Sequence, residues 1–389
     1  MRRTSAKAAL VGTALLVLSF IPATRAVAAP SLDVRVDLSF HAGNADVDFF
    51  HDSLAPYGDW MQMSPYGWVW APRAVRTDWR PYLDGHWVYT DYEWTWVSDE
   101  DWGWAPYHYG RWALDHRHGW VWVPGTVWAP AWVSWRWGDG YAGWAPLPPE
   151  VDITVGPANY GIDPLAYTFV EARYITEPVL VRRCLPPARN VTLVRVTENV
   201  TRYEVVDNRV VNRGFRIEEV ERVTGHAVPR ARIADIAAPG RTHVRGDEVA
   251  IYKPPVPRAT AQPTRVSVAE GRHPAPHAPA PAMAEMQQRH EEQRRDLEQQ
   301  HVAERSDLHN FHAQEKATPP PTVNRQELDA RHKAELQAQA QHEDREKRLL
   351  ADRQARERQP AEGQRVQHQE ERHASPPPEK KSGKDEKHK

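Results

Sequence analysis

The stretch Gly85-His86-Trp87-Val88-Tyr89-Thr90-Asp91-Tyr92-Glu93-Trp94-Thr95-Trp96-Val97 decides the fold of this chain. Trp87 and Tyr89 alternate with Val88, and after a short polar turn Trp94 and Trp96 again share one face. Side chains that alternate with a period of two on both sides of a turn are typical of a β-hairpin. We therefore expect the surrounding region to be built from β-hairpins.

This hairpin sequence belongs to a repeat with a period of about 26 residues. Residues 67–92, 93–118 and 119–144 align through the elements W-x-W, W-x-P and G-x-W, and Gly58-Asp59-Trp60 begins a degenerate fourth copy. A second hairpin is expected to join Gly110–Leu114 to Gly119–Val123. All 17 Trp residues lie between Trp60 and Trp144. Because aliphatic side chains are scarce there, most of these rings are predicted to form the core.

A minority of the aromatic residues are candidates for an exposed binding surface. They are Trp79, Tyr82, Trp104, Tyr107 and Trp128, which lie in the W-x-P elements between the hairpins. Proline cannot donate to a β-ladder, so these elements are expected to be linkers or edges. An indole face there could contact a carbohydrate ring or a protein partner. The competing interpretation is that these rings are simply part of the core.

No catalytic or metal-binding motif stands out. His108, His116 and His118 lack a C-x-x-C or H-E-x-x-H companion, so neither a metal nor a cofactor is predicted. Cys184 is the only cysteine, which excludes an intramolecular disulfide, and it lacks a nearby His that could make it a nucleophile. The formal net charge of −2 gives no basic field for nucleic acid. We expect a protein that is not an enzyme; the alternative is a hydrolase of cell-wall polysaccharide, since Asp and Glu lie near aromatic residues.

The N-terminus predicts export. A basic start at residues 1–7 precedes the apolar run Ala8–Ile21, and Ala26–Ala28 supplies the small residues of a cleavage site. The apolar run is shorter than the roughly 20 residues that span a bilayer, so residues 1–28 are expected to be a cleaved signal peptide with no membrane span remaining. The mature protein is predicted to reach the periplasm, the cell envelope or the extracellular space.

The expected fold class is mainly β, with a small α+β segment and a disordered C-terminal tail that contains charged helices. The Trp-rich module is assigned to residues 46–150 and the α+β segment to 151–253. Within that segment we predict a strand at Asn190–Val196, a hairpin around Asp207-Asn208, a helix that carries Ile217, Val220 and Val223 and ends at Gly225, and strands at Val228–Ile236 and Val249–Tyr252. Residues 254–281 are a Pro-rich linker, 282–373 a charged helical, low-complexity tail and 374–389 a disordered Lys-rich end.

The tail contains an 11-residue period. Met286, Leu297 and Leu308 recur at this spacing, as do the three His residues His290, His301 and His312. One apolar residue in about three helical turns is a sparse seam for a coiled coil. The helices are therefore expected to be isolated and fluctuating, and the support for oligomerisation through them is weak.

Three motifs resemble a family of exported bacterial Trp-rich repeat proteins: Phe49–Trp60 (FFHDSLAPYGDW), the W-A-P-Y copies and Gly143–Pro149 (GWAPLPP). Asn208–Gly214 is similar to a second block of that family, and the resemblance covers residues 46–255. The function of the family is unknown, so the resemblance implies export and repeat architecture but no activity or ligand residues. We accordingly expect a structural or binding role at the envelope, with cell-wall glycan or an envelope protein as the partner.

Overall fold

The computed structural model describes residues 40–73, 75, 76, 78–151, 153, 161–260, 283–320 and 323–374, with side chains up to residue 358 in the last helix. The predicted signal peptide, most of the Pro-rich linker and the Lys-rich end lie outside the described residues.

Fifteen strands form three sheets within this part of the chain. The strands are β1 Gly58–Met63, β2 Gly67–Pro72, β3 Gly85–Thr90, β4 Glu93–Ser98, β5 Arg111–Asp115, β6 Gly119–Val123, β7 Val133–Gly138, β8 Tyr141–Pro146, β9 Thr168–Glu171, β10 Glu198–Asn199, β11 Tyr203–Val206, β12 Arg209–Asn212, β13 Arg230–Asp235, β14 His243–Arg245 and β15 Glu248–Ile251. Their orders are β1-β2-β6-β5, β10-β7-β8-β9 and β11-β12-β4-β3-β13-β15-β14. The helices are α1 Val47–Leu54, α2 Asn190–Val196, α3 Ile217–Thr224, α4 Met283–Ala317 and α5 Arg325–Ala374. None of the described helices is long and apolar enough to cross a membrane.

Four consecutive antiparallel hairpins, β1–β2, β3–β4, β5–β6 and β7–β8, build the Trp-rich region. In each hairpin a Trp of the first strand lies directly opposite a Trp of the second. The cross-strand pairs are Trp60↔Trp70, Trp87↔Trp96, Trp112↔Trp122 and Trp135↔Trp144. The two hairpins predicted from the sequence are confirmed, and the degenerate first copy is a complete hairpin as well.

The indole rings form the core of the hairpin region. Thirteen of the 17 Trp side chains are buried, and the other four are half-buried: Trp60, Trp120, Trp128 and Trp137. Neighbouring rings pack mostly edge to face, as between Trp87 and Trp96, whose centroids are 4.9 Å apart. Several indole N–H groups donate to carbonyl oxygens of the connecting segments, as Trp122 does to Tyr109 at 2.7 Å. The prediction that most rings are core residues is confirmed.

The glycine of the G-x-W element leaves room for the ring on the opposite strand. A Cβ added at Gly85 would lie 2.7 Å from the Trp96 indole and 2.4 Å from the Val97 carbonyl oxygen. Gly58 and Gly110 stand in the same relation to Trp70 and Trp122, at 2.4 and 2.8 Å. The repeat therefore couples a small residue on one strand to an indole on its partner.

The segment 151–253 completes the sheets of the Trp hairpins instead of forming a separate unit. β9 pairs with β8, β10 with β7, β12 with β4 and β13 with β3. The predicted hairpin around Asp207-Asn208, the helix ending at Gly225 and the strands near 228–236 and 249–252 are confirmed. The predicted strand at Asn190–Val196 is wrong: this segment is helix α2, which buries Asn190 and Leu193 three residues apart. The Asn190 side-chain amide donates to the Tyr167 carbonyl at 2.6 Å, a contact that the local sequence does not reveal.

The tail helices α4 and α5 pair as an antiparallel hairpin. Histidines and glutamates face each other along it, with Nε2 to Oε2 distances of 2.8 Å for His290–Glu357, 2.7 Å for His301–Glu346, 2.7 Å for His312–Glu335 and 2.8 Å for His332–Glu315. Glu335, Glu346 and Glu357 recur every 11 residues on α5, in step with the histidines on α4. The expectation of isolated helices in a disordered tail is thus wrong for the described tail, because polar pairs complete the sparse apolar seam.

The helical hairpin also packs against the β-sheet body. Leu308 and Ala338 are buried together with Ala188 and Leu165 of the body. The Arg189 guanidinium carbon lies 3.3 Å from the centre of the Phe311 ring, a cation–π contact. Arg345 forms an ion pair with Asp163 at 3.0 Å. These contacts hold α5 across one side of the body.

The packing of glycine against the opposite indole predicts that Gly85→Ala lowers the free energy of unfolding by ~1–3 kcal/mol, the range for an overpacked core. Thermal melts of the full chain measure the change. Gly240→Ala is the control, because a Cβ at Gly240 meets nothing within 4 Å. Equal melting temperatures for the two variants would contradict the role assigned to the repeat glycine.

The pairing of His301 with Glu346 predicts that His301→Glu, which buries two facing carboxylates, lowers the stability of the helical hairpin by roughly 3–5 kcal/mol. The double variant His301→Glu/Glu346→His restores opposite partners and should recover at least half of that loss. Urea unfolding followed by far-ultraviolet circular dichroism gives both values. A double variant that is no more stable than His301→Glu would show that this register is wrong.

Candidate functional site

Four of the five aromatic residues predicted to be exposed lie in the core. Trp79 and Trp104 are 7% and 2% exposed, and Tyr82 and Tyr107 are fully buried. Tyr82 links two connecting segments, because its hydroxyl donates to the Tyr107 carbonyl at 2.8 Å and accepts from the Trp132 amide at 3.0 Å. The expectation of exposure is wrong for these four positions, since the W-x-P elements fold back across the hairpins. Ligand binding by any of them is not supported by their position.

Trp128, the fifth candidate, is half-buried but already has a partner. Its ring is stacked on His108, with centroids 5.3 Å apart, and meets the edge of Tyr92. The Lys253 ammonium lies 5.2 Å from the Trp128 ring and 5.0 Å from the Tyr92 ring. Burial lowers the pKa of His108 to about 4, so its imidazole is neutral at pH 7. The chain itself thus supplies a cation to this aromatic pair.

Glu100 is the most unusual carboxyl group of the core. It accepts hydrogen bonds from Trp79 Nε1 at 2.7 Å, from Ser98 Oγ at 3.2 Å and from the Tyr107 hydroxyl. Burial raises the pKa of Glu100 to about 7, although these hydrogen bonds oppose the shift. The group ties the segment after β4 to two aromatic side chains, which is a structural arrangement.

A cleft runs between helix α5 and the β5–β6 hairpin, and we call it the α5 cleft. It comprises an open groove of about 370 Å³, a hollow of about 520 Å³ and a narrow slot of about 50 Å³. Leu114 and Asp163 line both the groove and the hollow, Leu349 lines the hollow and the slot, and Trp120 lines the groove and the slot. The three spaces therefore share walls and form one candidate binding site.

Aromatic and proline side chains alternate with polar groups in the open groove. Its walls include Tyr66, Trp120, Pro146, Pro148 and Glu150. The Tyr66 hydroxyl donates to Glu150, and burial together with this contact raises the pKa of Tyr66 to about 12, so the phenol stays protonated. A concave, largely apolar surface with a few fixed polar groups is typical of a ligand site.

The acidic side of the hollow is held in its ionised form. Burial tends to raise the pKa of Asp115, but hydrogen bonds from the backbone N–H groups of Arg117 and His118 and from the His118 ring lower it on balance. His116 also lies 3.5 Å from the Asp115 carboxylate. Asp115 can accept hydrogen bonds from a ligand but is poorly suited to donate a proton.

Neither a metal centre nor a reactive thiol emerges from the described residues. No group of three or more His, Cys, Asp or Glu side chains among them could hold a metal ion. Burial raises the pKa of the Cys184 thiol to about 11, which keeps it protonated and unreactive at neutral pH.

The α5 cleft was not predicted from the sequence. Trp120 shares a strand face with the buried Trp122, and the W-x-W pattern does not distinguish the two rings. The far wall belongs to α5, a helix that sequence reasoning left as part of a disordered tail. The only available signal was the 11-residue period, which indicates that one face of each tail helix has a partner.

The hairpins of this architecture also match a known sequence family. A DUF6600 domain lies at residues 51–151. The DUF6600 family is one of unknown function, so the match supplies no activity, and it covers a shorter range than the resemblance at 46–255. The DUF6600 region contains all four Trp hairpins, including Trp120. No curated protein and no solved structure matches the chain significantly.

The raised pKa of Glu100 predicts a pH-dependent stability. The neutral carboxyl is favoured in the folded state, so its contribution is complete below the unfolded pKa of 4.5 and is lost as the pH rises through about 7. Glu100→Gln, which stays neutral, should lose less stability between pH 5 and pH 8, by at most ~3 kcal/mol. Urea unfolding at four pH values compares wild type, Glu100→Gln and the exposed control Glu291→Gln. Parallel curves for wild type and Glu100→Gln would contradict the assignment.

Proposed function

We propose that this chain is an exported cell-envelope or secreted protein that binds cell-wall glycan in the α5 cleft and does not act on it chemically. The observation that carries the proposal is the position of Trp120. In a region where 13 of 17 indoles are buried, this ring is half-buried and forms one wall of an open groove. Its face is accessible where most other Trp faces are covered by neighbouring rings.

The chemistry of the groove suits a sugar. The C–H bonds of a pyranose form a flat apolar face that packs on an electron-rich indole, as Trp120 offers. Sugar hydroxyl groups need both donors and acceptors, which Tyr66, Glu150 and Asp163 can provide around the same space. Pro146 and Pro148 stiffen the wall, so little conformational freedom is lost on binding.

Export supports a ligand outside the inner membrane. The basic start, the apolar run and the small residues at 26–28 are typical of a secretory signal. Cell-wall glycan is the polymer that such a protein meets in the bacterial envelope.

The rival function is hydrolysis of the same polymer. A glycosidase needs two carboxyl groups about 5–9.5 Å apart, one of them with a raised pKa. The raised pKa belongs to Glu100, which is not among the residues lining the α5 cleft, whereas the pKa of Asp115 in the cleft is lowered. This distribution of pKa values favours binding over hydrolysis.

Calorimetric titration of the full chain with N-acetylglucosamine oligosaccharides and with purified cell-wall fragments tests the proposal. Trp120→Ala should weaken binding about tenfold, equivalent to 1.4 kcal/mol. The control is Trp137→Ala, since Trp137 is also half-buried but packs on Phe215, 4.8 Å away, and does not line the cleft. Thermal melts of both variants show that they are folded.

Two results would overturn the proposal. Wild-type protein that binds none of these glycans has another ligand, and an envelope protein is then the next candidate. Release of new reducing ends from cell-wall glycan would instead establish the hydrolase, and loss of that release in Glu100→Gln would identify its acid.

A further inference from the structure

The narrow slot at the end of the α5 cleft contains a positive charge that the described residues leave unpaired. Arg353 of α5 lines the slot together with Trp79 and Trp120. Among the residues that the structure describes, none accepts a hydrogen bond from its guanidinium or forms an ion pair with it within 4 Å. Burial and the neighbouring Arg356 lower the pKa of Arg353, against the opposing effect of Glu357. A partly desolvated guanidinium of this kind lacks an anion.

Two further groups add positive potential to the slot. Arg356 lines the same space, and it donates one hydrogen bond to the Arg117 carbonyl at 2.8 Å. His118 also lines the slot, and its Nδ1 lies 2.7 Å from Asp115, so its Nε2 is the nitrogen left for another contact. Three nitrogen-bearing side chains therefore surround one small space.

The other charged groups of the slot are engaged elsewhere. Glu346 lies 2.7 Å from His301 and 3.4 Å from His342. Arg76 forms ion pairs with Asp78 and Asp84 at 2.9 and 2.7 Å. Arg353 is thus the group whose charge is least compensated.

We propose that this slot binds a carboxylate, and that the ligand of the α5 cleft is an acidic glycan whose ring lies on Trp120 while its carboxylate reaches Arg353. This inference rests on the proposed glycan-binding function and specifies its substrate class. Trp120 is the geometric link, because it lines both the open groove and the slot. A ligand that stacks on this ring has its substituents at the entrance to the slot.

The size and chemistry of the slot fit a carboxylate group. A volume of about 50 Å³ holds a group little larger than one or two water molecules, which admits a carboxylate and excludes a sugar ring. A guanidinium presents parallel N–H groups that match the two carboxylate oxygens, and such bonds strengthen away from bulk water. The ring of the ligand then stays in the groove of about 370 Å³.

Calorimetric titration with oligogalacturonate and with its carboxyl-reduced, neutral counterpart tests the inference at 50 and 300 mM NaCl. Wild type should bind the acidic oligosaccharide at least tenfold more tightly than the neutral one, with the difference shrinking at high salt. Arg353→Gln should abolish the difference and leave binding of the neutral oligosaccharide unchanged. Arg353→Lys, which keeps the charge but not the planar fork, should retain part of it.

Arg358→Gln is the matched control, because it removes the same charge from an exposed position of α5 that does not line the slot. Circular dichroism melts establish that each variant keeps the helical hairpin. A preference for the acidic oligosaccharide that survives Arg353→Gln overturns the inference, as does equal binding of the acidic and neutral oligosaccharides by wild type. In both cases the proposed glycan-binding function stands, and it fails only if neither oligosaccharide nor cell-wall glycan binds.

Discussion

The opposition of two indoles across each Trp hairpin is the constraint on which the rest of the body depends. A ring of that size needs a glycine beside it on the partner strand, which Gly58, Gly85 and Gly110 provide. It also carries an N–H that must find an acceptor once it is buried. Trp70, Trp122 and Trp144 find theirs in backbone carbonyls of the segments between the hairpins. The same rings therefore fill the core and fix the course of the loops.

Local sequence patterns were sufficient for the elements that depend on neighbouring residues. Alternation located β3 to β6, and Asp207-Asn208 adopts the positive φ values that its hairpin turn requires. Gly225 ends α3 with a φ of 78°. Burial of Trp79 and Trp104 was beyond such reasoning, because it depends on where the W-x-P elements fold after the hairpins have formed. The helical state of Asn190–Val196 likewise depends on contacts to Tyr167 and its neighbours, which are distant in sequence.

The candidate site could not be predicted because its two walls lie more than 200 residues apart in the chain. Trp120 belongs to the DUF6600 region, whereas Leu349 and Arg353 belong to α5. The sparse apolar seam of the tail pointed away from helix pairing, since its rule considers apolar residues alone. In this hairpin the seam positions between the leucines are occupied by imidazole–carboxylate pairs, which satisfy each other away from water. A pattern search limited to apolar residues therefore misses the partner helix.

The ladder of His–Glu pairs restricts how the length of this tail can change. An inserted residue in α4 alone would move every following histidine away from its glutamate, whereas 11 residues added to each helix would preserve all the pairs. The arm can thus be lengthened or shortened only in matched units of 11 residues per helix, each adding about 16 Å at 1.5 Å per residue. Two chains of this design could differ in reach by such steps while keeping the same body and the same cleft.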